Sequence, residues 1–395
     1  MMGTLTYKFR LYPTRTHEQL LTRTLDCCRF TYNQLLEQLN KSAHIDRGAI
    51  QHHIVTLKKE HPDLCAAYSK TLQYECVRLF GALRGLTRLK QNGRKVGRLR
   101  FKPTHRFKTF TYNQSGYALL HTSTRHDKLH LAKIGDIPLM LHRPIKGAVK
   151  QVTVKHCASG KWFAFVTCDD VPSRYQHGTG EVGIDLGLDS LIHDSNNRIV
   201  KHPKHLLASH KQLNAAQRRL HRCQKISKNR RKARLRVAKI YEHVVNQRDD
   251  FAHKLSHHYA TTHTLIAHED LDLQGLIAKQ YNKRTILDAA IGRFVTFLSY
   301  KAASAGTIRI PVDPRGTTQK CSSCGRYVHK ALWNRMHECP CGFSAARDYN
   351  SARLILLRAT GREPPDNACQ ATTATPPMAA QVIAMTQEAL PARTG

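Results

Sequence analysis

The chain of 395 residues carries 63 Lys and Arg against 28 Asp and Glu, which gives a formal net charge of +35. This length suits two or three domains, and such an excess of positive charge predicts a large polyanionic partner, for which nucleic acid fits best. No apolar run approaches the eighteen or so residues that a membrane-spanning helix needs, and the first residues do not form a signal peptide, so we expect no membrane partner.

The first part of the chain predicts a small β-barrel interrupted by helices. Residues 5–12 alternate apolar and polar side chains, as a half-buried strand does. Helical spacing follows up to about residue 92, and it places on one face Leu21, Leu25, Cys28, Tyr32 and Leu39. Further strands are predicted at 128–132, 137–142, 149–156 and 161–168.

A stretch rich in cationic and aromatic residues, 94–112, separates the helices from these strands. Its rings are Phe101, Phe107, Phe110 and Tyr112. The mixture is typical of proteins that bind RNA or single strands, because bases stack on aromatic rings. The alternative is a β-barrel with a basic exterior.

The second half of the chain has the element order of an RNase H-like domain with insertions. The predicted elements are three strands within 181–200, a basic helical hairpin over 204–258, a strand at 264–270, a helix at 285–304, a strand at 306–312 and a final helix over 348–358. Beyond Gly361 the chain is rich in Pro, Ala and Thr and nearly uncharged, which predicts a disordered tail.

Three carboxylates stand at or near the ends of these predicted elements: Asp185, Glu269 and Asp348. Cleavage of a phosphodiester bond needs an activated water and neutralisation of charge, which two Mg²⁺ ions about 3.5–4 Å apart supply when carboxylates hold them. Each position has a structural alternative, namely a turn residue, a helix start and a helix N-cap respectively. Nearby competitors are Asp189, Asp194 and Asp270.

Four cysteines, Cys321, Cys324, Cys339 and Cys341, have the spacing CxxC…CxC that suits one tetrahedral zinc ion. The second pair is shorter than the commoner CxxC, so His337 is an alternative ligand to one thiolate. A site with four protein ligands is closed, so the zinc is predicted to be structural. The remaining cysteines do not form a disulfide pattern, which indicates a reducing compartment.

A dense basic segment lies at the predicted bend of the helical hairpin, Gln224 to Lys232. Its candidate phosphate contacts are Lys225, Lys228, Arg230, Arg231 and Lys232. Acidic residues are nearly absent from 206 to 241, which favours phosphate contact over the alternative of a solvated helix face.

Several motifs follow one another in an order that resembles one family. They are Tyr7-Lys-Phe-Arg-Leu-Tyr-Pro13 with Asn33, Arg106-Phe-Lys108, Val182-Gly-Ile-Asp185-Leu-Gly187, Asn229-Arg-Arg-Lys232, Asn246-Gln-Arg248, Glu269-Asp-Leu271, the two cysteine pairs and Arg347-Asp348-Tyr-Asn350. Over about residues 1–360 the chain resembles the TnpB (OrfB) proteins of IS200/IS605-type insertion sequences, relatives of the type V CRISPR nucleases.

The resemblance implies a multidomain α/β protein. Its expected parts are a β-barrel wedge domain (1–12 and 93–178), a helical recognition domain (13–92), a RuvC nuclease domain (179–316 and 346–360), a zinc-binding insertion (317–345) and a disordered tail (361–395). It also implies that Asp185, Glu269 and Asp348 are the RuvC carboxylates that hold Mg²⁺.

The implied activity is cleavage of double-stranded DNA beside a short target-adjacent motif, guided by an RNA from the end of the transposable element. Arg106 and Lys108 are then candidate nucleic-acid contacts. Gln73 is a candidate reader of the adjacent motif or, alternatively, an ordinary helix-surface glutamine. We expect a cytoplasmic, nucleoid-associated protein of a prokaryote. The chain departs from the family at two positions. Ala346 stands where the family has a further Asp, and Ser351 stands where it commonly has an Ala.

Two other functions compete with this hypothesis. An RNA-guided DNA-binding repressor, or an accessory protein of transposition that does not cleave, would be marked by loss of one RuvC acid, and all three are present. A transposase that joins strands itself would need the His-x-His metal pair and the Tyr nucleophile of single-strand transposases. The sequence contains no pair of histidines spaced i, i+2.

Overall fold

The computed structural model describes residues 2–41, 46–122, 127–172, 176–187, 190–272, 275, 290–331 and 333–365. The chain divides after Pro172 into two units, Met2–Pro172 and the residues from Ser173 onward, which we call the N-terminal and C-terminal units. None of the helices in the described ranges has the length and apolar character needed to cross a bilayer.

A seven-stranded antiparallel sheet forms the centre of the N-terminal unit. Its strands are β1 (Met2–Leu11), β2 (Thr109–Asn113), β3 (Tyr117–Leu120), β4 (Asp127–Leu131), β5 (Gly135–Met140), β6 (Ala148–His156) and β7 (Trp162–Pro172). They are ordered β2-β6-β7-β1-β5-β4-β3. The two edge strands, β2 and β3, are separated in the chain by residues 114–116 alone, so the sheet curls like a barrel and brings its two edges close together.

Alternation along the two longest strands fills the interior of this barrel. β1 pairs with β7 so that Tyr7 lies opposite Val166 and Phe9 opposite Ala164, and all four side chains are buried. Successive side chains of a strand point to opposite faces, so Lys8 between them is on the outer face and is exposed.

The aromatic rings of the stretch 94–112 mostly belong to the same core. Phe107, Phe110 and Tyr112 are 6%, 0% and 0% exposed, whereas Phe101 is 54% exposed. The interpretation of these three buried rings as platforms for bases is therefore wrong. Phe110 and Tyr112 lie two positions apart on β2 and so point to one face of the sheet, which is buried, as in the alternative of a barrel with a basic exterior.

Helices occupy the interval between β1 and β2. They are α1 (Arg15–Lys41), α2 (Arg47–Glu60) and α3 (Ser69–Gln91). The predicted apolar face of α1 is confirmed, because all five of its residues are buried. Asn33, from the same helix, accepts a hydrogen bond from the backbone N–H of Lys102 at 2.8 Å and donates to its carbonyl at 3.2 Å. This motif residue therefore anchors the segment that leads into β2.

The C-terminal unit contains a five-stranded mixed sheet. Its strands are β8 (Glu181–Asp185), β9 (Ser190–Asp194), β10 (Ile199–Lys201), β11 (Leu265–Glu269) and β12 (Ile308–Val312), in the order β10-β9-β8-β11-β12. β8, β9 and β10 are antiparallel, whereas β11 is parallel to both β8 and β12. The predicted bounds of β11 and β12 differ from these by at most two residues.

The helices of this unit are α4 (His205–Ala208), α5 (His210–Arg222), α6 (Lys228–Thr262), α7 (Ile291–Ala305) and α8 (Arg347–Ala359). The predicted hairpin is present as α5 and α6, but its bend covers only 223–227. It ends early because the Ser227 hydroxyl accepts the backbone N–H of Arg230 at 3.1 Å and so starts α6. The predicted helix 285–304 corresponds to α7, and residues 276–289 lie outside the described ranges.

The cysteine-containing loop between β12 and α8 carries a two-stranded sheet, β13 (Met336–Glu338) with β14 (Ser344–Ala346). After α8, residues 361–365 pack on the unit, although the sequence pattern assigns them to the tail. Glu363 pairs with Lys320 and with Arg358, each at 2.9 Å. The predicted tail from residue 366 lies outside the described residues.

Candidate active site and cysteine cluster

Asp185 and Glu269 are the last residues of two neighbouring parallel strands. The register of β8 and β11 pairs Leu265 with Glu181 and continues to the pair of His268 with Ile184, so Asp185 and Glu269 come next on their strands. Residues in register on parallel strands point to the same face. The local fold therefore brings these two carboxylates side by side.

Asp348 is brought to the same place by α8, which packs directly on β8. A Cβ atom at Gly183 would lie 2.1 Å from the Ala352 carbonyl oxygen and 2.8 Å from the Leu356 backbone nitrogen. Only a glycine permits this close approach of helix and strand. The first turn of α8, with Asp348 as its second residue, therefore lies over the end of β8.

All three carboxylates line one cavity of about 310 Å³. Its other lining residues are Leu186, Gly187, Ser190, His193, Thr318, Arg335 and Arg347. Burial, together with the charges of Glu269 and Asp348, raises the pKa of Asp185 well above its ordinary value, and Arg347 opposes this. Burial likewise raises the pKa of Glu269. The cavity thus concentrates negative charge that a bound cation would offset.

Neighbouring polar groups orient two of the carboxylates. The Thr317 hydroxyl donates to Glu269 Oε1 at 2.7 Å, and the carbonyl of Thr317 accepts from the Ser351 hydroxyl on α8 at 3.2 Å. Arg347 Nε donates to Asp348 Oδ1 at 3.3 Å. The sequence gives no local signal for Thr317, because its partner lies 48 residues away in the chain.

The competing acidic residues have other environments. Asp194 is 2% exposed and accepts hydrogen bonds from the Tyr259 hydroxyl at 2.8 Å and from the backbone N–H of Arg198 at 2.9 Å, so it holds the turn after β9. Asp270 is exposed. Asp189 lies outside the described residues.

The sulfurs of Cys321, Cys324, Cys339 and Cys341 all lie within 4.8 Å of one another. The distance from Cys321 to Cys341 is 3.9 Å and that from Cys324 to Cys339 is 3.6 Å. A tetrahedron with Zn–S bonds of about 2.3 Å has S···S edges of about 3.8 Å, so the arrangement fits zinc. Among the described residues, no other set of three or more His, Cys, Asp or Glu side chains is close enough together to be a candidate metal site of this kind.

His337, the alternative ligand, is not part of this set. Its ring is fully buried and its Nδ1 contacts the Lys330 ammonium group. Burial, together with the charge of Lys330, lowers the pKa of His337 to about 4. The four thiolates therefore remain the candidate zinc ligands.

Asn350 connects the cysteine cluster to the helix that carries Asp348. Its side chain is fully buried, accepts the backbone N–H of Ser322 at 2.9 Å and donates to the carbonyl of Lys320 at 2.9 Å. These two backbone groups flank Cys321. The position of the first turn of α8 is therefore coupled to the folding of the cysteine loop, a role that the motif Arg-Asp-x-Asn did not disclose.

The basic residues of the hairpin divide into two groups. Lys225, Lys228, Arg231 and Lys232 are exposed. Arg230 is half-buried, and its guanidinium donates to the carbonyls of Leu220 at 3.1 Å and Cys223 at 3.0 Å. These carbonyls are at the end of α5, where helix acceptors need partners. Arg230 therefore has a structural role in closing the bend, and its guanidinium has hydrogen-bond partners without a bound phosphate.

The remaining candidate nucleic-acid contacts all belong to the N-terminal unit. Gln73 on α3 and Arg106 before β2 are exposed, and Lys108 is half-buried. Gln73 and Arg106 are therefore accessible to a ligand. The surface position of Gln73 is compatible with a reader of the adjacent motif and with an ordinary helix-surface glutamine.

Three models of known protein families match the sequence of this chain. A model of the IS605 OrfB family, described as a probable transposase, matches residues 165–280. A Cas12f1-like TNB domain matches 292–355, and a helix-turn-helix domain of the OrfB family matches 1–44. The resemblance to the TnpB (OrfB) proteins of IS605-type elements, expected from the sequence motifs, is confirmed by these matches. In the described part of the region matched by the helix-turn-helix model, residues 2–41, the structure has β1 and α1.

Relatives resemble this chain over most of its length. A protein of Streptomyces pristinaespiralis named "Putative RNA-guided DNA endonuclease" is 29% identical over 358 residues, which are 89% of this chain and 88% of that protein. The "Putative RNA-guided DNA endonuclease InsQ" of Escherichia coli K12 is 27% identical and covers 89% and 91% respectively.

A solved structure shares the fold. The Cas12f1 chain of a cryo-EM complex with sgRNA and target DNA has a TM-score of 0.56 at 13% sequence identity. The likeness covers 89% of this chain and 98% of the Cas12f1 chain. At this identity the comparison concerns the fold alone.

Proposed function

We propose that this OrfB-family protein is an RNA-guided endonuclease that cleaves double-stranded DNA at the carboxylate cavity. The observation that carries the proposal is the arrangement of Asp185, Glu269 and Asp348, which come from two strands and a helix and line one cavity. Their positions at strand and helix ends place all three carboxylates at the wall of that cavity.

The fold supports a RuvC-type, RNase H-like nuclease domain. Three antiparallel strands continue into two parallel strands, with the two acids at adjacent carboxyl ends of β8 and β11. Ligands of mixed α/β sheets commonly bind at this edge. We assign 179–316 with 346–360 to that domain, 317–345 to a zinc-binding insertion, 13–92 to a recognition domain and the flanking barrel segments to a wedge domain.

The three carboxylates would hold the metal ions of the reaction. Hard oxygen ligands suit Mg²⁺, and a pair of such ions is the arrangement that serves phosphodiester cleavage when carboxylates hold them. Bound Mg²⁺ supplies an activated water and neutralises charge on the phosphoryl oxygens. Thr317 fixes the orientation of Glu269, and Arg335 and Arg347 contribute positive charge beside the phosphate.

The chain's own charge supports the nucleic-acid partners. A guide RNA from the end of the element and a DNA duplex together provide the large polyanion that a net charge of +35 requires. The exposed Lys225, Lys228, Arg231 and Lys232 form a basic surface suited to phosphates. The names of the two bacterial relatives agree with this pair of partners.

The proposal is tested with full-length protein purified together with its bound RNA. Sequencing that RNA identifies the guide, and plasmid DNA that contains the matching sequence is then incubated with Mg²⁺. We expect a double-strand break at the match, and loss of cleavage when the RNA is digested beforehand or Mg²⁺ is omitted.

Two results would contradict the proposal. Cleavage that continues at any sequence after removal of the RNA would indicate an unguided nuclease. Guide-dependent binding without cleavage, under every divalent cation tried, would indicate a DNA-binding repressor on the same scaffold.

A further inference from the structure

The cysteine loop exposes a tryptophan. Trp333 is 84% exposed, whereas Trp162, the other of the two tryptophans of the chain, is 2% exposed and stacks on His156 with ring centroids 4.3 Å apart. Indole is the largest side chain, and at this exposure the ring of Trp333 contributes little to the core. Exposed tryptophans are typical of binding surfaces.

The backbone around Trp333 is tied to the carboxylate cavity. The next residue, Asn334, accepts a hydrogen bond from the Arg347 guanidinium at 3.2 Å through its carbonyl, and the carbonyl of Arg335 accepts the backbone N–H of Arg347 at 2.8 Å. Arg335 and Arg347 both line the cavity. Two residues of chain span at most about 7.6 Å, so the Trp333 Cα lies within that distance of the Cα of Arg335.

The charge near this ring indicates its ligand. Two arginines stand at the cavity beside it, and the whole chain has a net charge of +35. An apolar protein partner would bury these cations at a cost, whereas a nucleic-acid strand neutralises them. An exposed aromatic ring beside cations is the combination with which proteins bind single strands, since every base has a π face.

We propose that Trp333 stacks on an unpaired base of the DNA strand that enters the carboxylate cavity, with Arg335 placed for the flanking phosphate. This inference rests on the proposed nuclease function and adds a substrate-positioning residue to it. Stacking would fix the strand next to Asp348 and would require that the duplex be opened there, because a paired base has both faces covered by its neighbours.

Tryptophan fluorescence tests the stacking without any cleavage. Oligodeoxythymidine is added to the full-length protein in the absence of Mg²⁺, in parallel with an oligonucleotide of abasic sites that has the same phosphates. We expect quenching by the oligodeoxythymidine and little by the abasic strand. The Trp333→Phe variant should lose the signal, because Trp162 is buried. Equal effects of both strands, or no quenching, would overturn the inference.

Kinetics with the guide-bound protein provide the second test. Trp333→Ala is expected to raise KM for DNA roughly 5- to 150-fold, the range that loss of one base–aromatic stack gives, with a smaller change in kcat. Trp333→Phe should restore most of the loss. Tyr327→Ala is the matched control. Its ring lies in the same loop and is 53% exposed, but it packs against Gly316, where an added Cβ atom would be 3.3 Å from the ring.

The two proposals fail in different ways. If Trp333→Ala cleaves guided DNA with unchanged KM and no quenching is seen, the stacking is wrong and the nuclease assignment stands. If quenching occurs as expected but the wild-type protein never cleaves, Trp333 binds strands and the nuclease assignment is wrong.

Discussion

Replacing Asp185 by asparagine is expected to abolish Mg²⁺-dependent DNA cleavage while the protein remains folded. Mutation of residues that merely support metal ligands costs about 10- to 100-fold, so loss of a ligand itself should cost more than about 100-fold. Asparagine has the same shape and removes one of three mutually repelling carboxylates. The metal-free variant should therefore unfold at the same temperature as the wild type or higher.

The measurement is the rate of guided plasmid cleavage beside a thermal unfolding curve for each protein. Asp270→Asn is the matched control, because this exposed carboxylate is adjacent in sequence to Glu269 but does not line the cavity. It should cleave at the wild-type rate. An Asp185→Asn protein that still cleaves at more than a tenth of that rate would remove Asp185 from the catalytic set.

Replacing Gly183 by alanine is expected to damage both stability and cleavage, although this residue has no side chain in the cavity. The new methyl group would lie 2.1 Å from the carbonyl oxygen of Ala352, which is backbone and cannot rotate away. Helix α8 must shift, at a cost of about 1–3 kcal/mol in unfolding free energy. Because α8 carries Asp348, and a displacement of about 1 Å can cost about 100-fold in rate, cleavage should fall about that much.

Unfolding in urea and the cleavage rate measure these two effects. Gly85→Ala is the control: a Cβ there meets no atom within 4 Å, and alanine favours a helix, so neither stability nor rate should fall. Wild-type cleavage by Gly183→Ala would mean that the contact between β8 and α8 does not position Asp348.

The convergence of the three acids on one cavity and the clustering of the four cysteine sulfurs agree with the sequence patterns, because these signals are local. Asp185 and Glu269 each end an apolar strand, and parallel pairing places such ends together. The four cysteines occupy ligand spacing, and their sulfurs lie within 4.8 Å in the structure. In both cases a short pattern is sufficient, since the chemistry depends on residues a few positions apart or on one rule of sheet geometry.

Other features depend on contacts between distant residues and could not be predicted. Thr317 reaches Glu269, and Asn350 reaches the backbone beside Cys321, through hydrogen bonds that no sequence pattern announces. Arg230 looked like its exposed neighbours, but it bonds to the end of α5. For Phe110 and Tyr112 the neighbouring cations suggest base stacking. The position of both rings on the buried face of β2 becomes clear only from the pairing of the strands.

The hydrogen bonds of Asn350 connect the loop of the four candidate zinc ligands to the helix of Asp348, the one acid of the three that lies in the same stretch of sequence. The cysteine loop supplies backbone groups to Asn350, and the same loop supplies Arg335 to the cavity. Under the two proposals, zinc bound to the four thiolates would order both the start of α8 and the segment that carries the exposed ring of Trp333. Catalytic and substrate-positioning groups would therefore be ordered together.

Replacing the guide segment of the RNA tests the central claim most directly. The protein is reconstituted with an RNA that differs only in that segment, and it is given two plasmids, one matching each guide, with Asp185→Asn as the inactive reference. We predict that cleavage moves to the plasmid matching the new guide and that the reference cuts neither. Cleavage that stays at the original sequence, or that ignores both guides, would contradict the account.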